Sequence, residues 1–180
     1  MKYLQILFFI LLSLSLNAQA QWQFSSHLGI NAMIPEWDNL ADMTQGIIFD
    51  VGANKNLSIG LDSIYLNIGT NIGYMSFYDD VTGDIDRTNF IGAKVGLSKA
   101  YQNSWLAISG IAKWQHQYGL LAFGPRTDLV LYKSFLKNTD FFIGGELLFT
   151  NKNYVSDSPL TNERRLMFIT LGLGFKYNFN

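Results

Sequence analysis

From Met167 to Phe179 the chain alternates. Odd positions read Met167, Ile169, Leu171, Leu173, Phe175, Tyr177 and Phe179, and even positions read Phe168, Thr170, Gly172, Gly174, Lys176 and Asn178. Successive side chains of a β-strand point to opposite faces, so this stretch has an apolar face and a small or polar one, with Phe168 out of place. The period recurs. Ile64, Leu66, Ile68, Ile72 and Tyr74 oppose Asn67, Gly69, Asn71 and Gly73, while Ile47, Phe49, Val51 and Ala53 oppose Asp50, Gly52 and Asn54, with Ile48 a blemish. The pattern predicts eight strands, at 22–34, 45–59, 64–78, 88–99, 105–118, 126–135, 141–150 and 164–179. The sixth is the weakest, because Val130 and Tyr132 occupy its polar face.

The connections alternate too. Those near 60–63, 100–104 and 136–140 are short; those at 35–44, 79–87, 119–125 and 151–163 are mostly longer. An up-and-down meander gathers the two sets at opposite ends. The smaller face carries nine of the sixteen glycines, which suits a narrow barrel interior better than a wetted surface. Asp50, Lys94, Lys113, Asp128, Glu146 and Lys176 share that face. Lys55, Lys99, Lys133 and Arg165 fall on the apolar face near strand ends, where a basic side chain in lipid costs little. Aromatics gather in two groups. Trp22, Phe24, Tyr101, Trp105, Phe135, Phe141, Tyr177 and Phe179 lie toward the short turns, and Tyr74, Tyr78, Trp114, Tyr118, Phe149 and Tyr154 toward the long ones. Two such belts bracketing an apolar band fit amphipathic rings at headgroup level. The apolar face therefore points at lipid. A sheet in hydrocarbon must close, because its backbone groups find no water there. The fold expected is all-β: a closed eight-stranded antiparallel up-and-down transmembrane β-barrel.

The first residues place it. Lys2 precedes an apolar run from Leu4 to Leu16, followed by Ala18-Gln19-Ala20, which reads as a signal peptide over 1–20. The rest, 21–180, is one barrel domain. The chain has no cysteine, so disulfide and thiol chemistry are excluded, and a net charge of −1 gives no case for nucleic acid.

In signal peptide, strand count and loop asymmetry the chain resembles the eight-stranded outer-membrane barrels of the OmpA/OmpX type. The most specific likeness is the final strand, with Phe175, Tyr177 and Phe179 alternating; it looks like the terminal signal read by the outer-membrane assembly machinery. Asn180 departs from the pattern, since members often end on the aromatic itself. The resemblance implies a monomer in the cell outer membrane whose partners are outer-membrane lipids, that machinery and an extracellular ligand held by loops.

Candidate chemistry is sparse. The six interior charges, three acidic and three basic, are expected to pair with one another beside His27, Asn67 and Asn71, because an unpaired buried charge costs several kcal/mol. No catalytic residue, cofactor or metal is assigned. His116 sits at a depth suited to a lipid A-modifying enzyme, but Tyr118 stands where such an enzyme would place serine. His27 faces inward beside Ser25, and no carboxylate is assigned to either histidine. The acidic stretch 79–86 lacks the order of a calcium loop. Trp37, Leu40, Tyr154 and Leu160 offer a contact patch in the loops. The function expected is structural or surface-interactive, with a lipid A-modifying enzyme and a soluble periplasmic barrel around an apolar ligand as alternatives.

Overall fold

The computed structural model describes residues 21–34, 44–78, 85–116, 119–150 and 167–179. They form eight strands: β1 (Gln21–Ile34), β2 (Thr44–Ser58), β3 (Ile64–Tyr78), β4 (Ile85–Ala100), β5 (Trp105–Gln115), β6 (Leu120–Leu136), β7 (Thr139–Thr150) and β8 (Met167–Asn178). Each pairs antiparallel with the next, and β8 closes on β1, so the sheet is a closed barrel in chain order. The stagger can be walked residue by residue. Phe24 faces Ala53, then Thr70, Ala93, Ala112, Phe123, Phe149 and Met167 in turn. Met167 faces Ile34, ten positions beyond the start on β1. That stagger over eight strands tilts them by about 40° from the barrel axis.

The alternation read from the sequence maps onto the wall as expected. Ile30, Leu28, Ile91 and Leu171 are 57–67% exposed. Their strand neighbours Asn31, His27, Gly92 and Gly172 point inward. Such a surface is the reverse of a soluble barrel, whose apolar residues fill the centre, and it excludes the reading of an apolar ligand cavity.

One segment departs from expectation. β6 begins at Leu120, six residues before the expected start, so only four residues, 116–119, join it to β5 instead of a long loop, and Gly119 N–H donates to His116 O at 3.4 Å as a turn does. Gly119 supplies that turn with a φ of 59°. Pro125 hid the strand. It pairs with Gly110 of β5, while the ladder to β7 passes from Phe123 to Arg126 without Gly124 or Pro125, where a residue lacking N–H is tolerated. β4 also starts earlier, at Ile85, and β5 ends at Gln115. At the other end the connections are short: 59–63, 101–104 and 137–138. Asn138 completes the last with a φ of 61°, a conformation asparagine tolerates better than most residues. The expected signal peptide, residues 79–84 of the acidic stretch, the loop residues Trp37, Leu40, Tyr154 and Leu160, and Tyr118 and Arg165 lie outside the described residues.

Candidate functional site: the charged interior of the barrel

Seven strands send a titratable side chain into the middle of the barrel. Inward positions alternate with outward ones, so His27 on β1, Asp50 on β2, Lys94 on β4, Lys113 on β5, Arg126 and Asp128 on β6, Glu146 on β7 and Lys176 on β8 all point inward, and all are buried. β3 adds the amides Asn67 and Asn71.

Arg126 is the hub. Its Nε donates to Asp128 Oδ1 at 2.8 Å and its Nη1 to Glu146 Oε1, with Asp50 Oδ2 at 3.7 Å. Lys113 Nζ donates to the other oxygen of Glu146. Lys176 Nζ donates to Asp128 Oδ2 at 2.8 Å, and Lys94 Nζ stands 3.7 Å from the same oxygen. His27 Nδ1 lies 3.2 Å from Asp50 Oδ2. Aromatic faces take up further positive charge: Lys113 Nζ is 4.4 Å from the centroid of Phe90, and Lys176 Nζ 3.8 Å from that of Trp105. The geometry brings all six charges expected from the sequence into one connected set.

Apolar side chains lie on both sides of this layer. Toward the long-loop end, Ile48, Met75, Phe77, Phe90, Ile111, Leu120, Ala122, Leu148 and Phe168 form a buried cluster. Toward the short turns, Trp105, Ala107, Val130 and Phe142 form a smaller one. Beyond it a cleft of about 120 Å³, lined by Gln23, Asn56, Tyr65, Ser98, Trp105, Asp140 and Asn178, opens at the barrel mouth.

Solved structures similar to this chain include those of two outer-surface proteins. One is the crystal structure of Ail, the attachment invasion locus protein of Yersinia pestis, in complex with the heparin analogue sucrose octasulfate. It covers 88% of this chain and 99% of its own at 10% identity, with a TM-score of 0.44. The other, Neisserial surface protein A, covers 89% and 96% at 12% identity, with a TM-score of 0.41. No family model matches the sequence, and no curated protein does.

The interior holds more than the sequence suggested. Arg126 and Asp140 join the six expected charges, making four basic and four acidic buried side chains among the described residues. Both stood at or just outside an expected strand end, so neither received a facing direction. Trp105 is a correction: it was expected in the aromatic belt, but it shares the phase of Ser109 and Lys113 and is buried, its indole donating to Asp140 Oδ2 at 3.3 Å. His27 is another. Asp50, its cross-strand partner, supplies the carboxylate that spacing alone could not assign. Two glycines make room for the imidazole: a Cβ on Gly172 would stand 2.6 Å from His27 Nε2, and one on Gly144 3.2 Å. His116 is exposed at the turn after β5, its backbone N–H bonded to Asn89 O at 3.0 Å.

Proposed function

We propose that this chain is an integral outer-membrane barrel, sealed through its centre, that acts as a structural or surface-interacting protein and not as an enzyme. One observation carries the reading: leucine and isoleucine coat the wall while eight charges lie inside it. In water that wall would expose a continuous apolar surface, whereas in a bilayer it meets hydrocarbon; the buried ions compensate one another in either surrounding. The interior has room only for its own side chains, as eight strands allow. His27 is buried beside Asp50 away from any lipid substrate, which favours a structural role for it. What the protein meets outside, it meets through 35–43, 79–84 and 151–166.

The deciding experiment is fractionation. The protein is expected in detergent-extracted outer membrane, as a monomer whose gel mobility changes on boiling. Release by osmotic shock would overturn the reading. A deletion strain is expected to keep its lipid A profile; a lost lipid A species restored by the gene but not by its His116→Ala form would establish the enzyme instead.

A further inference from the structure

Two cations stand on the outside of the wall with no carboxylate in ion-pairing range among the described residues. Lys55 on β2 and Lys99 on β4 both belong to the lipid-facing phase near the short turns. Each ammonium lies against an interfacial ring: Lys55 Nζ is 5.5 Å from the centroid of Trp22, and Lys99 Nζ 5.6 Å from that of Tyr101. Those rings are 51% and 49% exposed. The register fixes where the lysines sit. Lys55 faces Ile68 on β3, and Lys99 faces Ile64 on the same strand. With the tilt of the wall, the two lie within about 4 Å of one depth and roughly 16 Å apart around the rim. Between them the wall is Ile64, Leu66 and Ile68. The patch thus offers two unpaired cations at headgroup level above a strip that suits acyl chains.

We propose that this patch binds acidic glycerophospholipids of the periplasmic leaflet, their phosphates meeting Lys55 and Lys99. The inference rests on the outer-membrane reading, with the short turns toward the periplasm. A basic residue at a membrane surface contributes about fivefold in affinity for an anionic lipid.

The test is native mass spectrometry of the barrel in micelles holding equal phosphatidylglycerol and phosphatidylcholine. Wild type is expected to retain phosphatidylglycerol preferentially. Lys55→Gln with Lys99→Gln is expected to lower that preference about fivefold for each lysine, while the Lys55→Arg, Lys99→Arg pair keeps it. Lys137, exposed in the β6–β7 turn, is the control. Equal retention of both lipids by wild type overturns the inference, and so does an equal loss in Lys137→Gln. A barrel that inserts into bilayers without preference overturns this inference alone; one that never inserts overturns the outer-membrane reading.

Discussion

Lys113 and Glu146 are joined inside the barrel from neighbouring sectors of the wall, and neither side chain has any exposed surface. Glu146 also receives Arg126, so one carboxylate serves two cations. Glu146→Gln would leave Lys113 without its carboxylate while Arg126 keeps Asp128 and Asp50, and breaking a buried pair costs about 3–5 kcal/mol. The variant is expected to unfold at markedly lower urea than wild type in vesicles. Lys113→Met should cost less, because Arg126 still faces Glu146. The double variant Lys113→Met, Glu146→Gln should be milder than the sum of the two. Strict additivity would show that the pair is not coupled.

Glycines separate by the face they occupy. A Cβ on Gly172 would meet Leu28 O at 2.5 Å and the Cα of Gly29 at 2.6 Å, both backbone atoms of the adjoining strand. Gly145 points outward, and its nearest such neighbour is Thr170 O at 3.7 Å. Gly172→Ala is therefore expected to destabilise by about 1–3 kcal/mol, the usual cost of overpacking. Gly145→Ala should fold as wild type does. Parallel urea titrations of the two variants in one vesicle preparation check the contrast.

The strands were legible because their period is strict, and the interior was legible only in part because closure decides it. A period of two says that Asp50 and Lys176 share a face; it cannot say that Arg126 stands between Asp50 and Glu146, which depends on the registers of β5, β6 and β7. Ile48 and Phe168 broke the alternation and looked like noise. Both belong to the apolar cluster above the charges. Val130, the flaw of β6, packs with Phe142 and Trp105 in the lower one. Pro125 and Gly119 concealed the first turns of β6 because both are ordinary loop residues, and that error pushed Arg126 to a strand end.

The lipid-facing phase should be intolerant of charge at mid-height and tolerant near the rim. Leu28 and Leu173 face each other across β1 and β8, at the middle of both strands. Leu28→Arg is expected to cost about 2–4 kcal/mol of folding stability in vesicles, against about 0–1 for Trp22→Arg at the rim. On a water-facing wall neither substitution would matter, so equal, small effects would sink the assignment of the wall to lipid.

Phe175, Tyr177 and Phe179 face outward at the end of β8. The ring of Phe179 packs on Tyr177 at 4.8 Å and on Phe24 at 5.2 Å, and its N–H reaches Trp22 O at 2.9 Å. These contacts contribute modestly to stability. A role as an assembly signal predicts a larger effect in cells than in the test tube. Tyr177→Ala with Phe179→Ala is expected to cut the amount assembled in the outer membrane severalfold while the purified chain still refolds into detergent. An equal loss in both settings would assign these rings to packing alone.

The proposed sealing of the centre predicts the absence of current. Phe90 and Phe168 belong to the apolar cluster that lies between the charges and the long-loop end. Phe90 also covers the ammonium of Lys113. Wild type in a planar bilayer is expected to show no steady conductance. Replacing both rings by alanine removes the bulk above Lys113 and Arg126 at a cost of about 3–5 kcal/mol each. Water entering there would reach the charged layer, but Trp105, Val130 and Phe142 still separate that layer from the cleft below. The Phe90→Ala, Phe168→Ala variant, if it retains its heat-modifiable band, is therefore expected to stay as silent as wild type, and only one that also carries Phe142→Ala is expected to pass small ions. Steady current through wild type would show instead that the charged layer lines a passage, and the four basic and four acidic side chains would then set its selectivity.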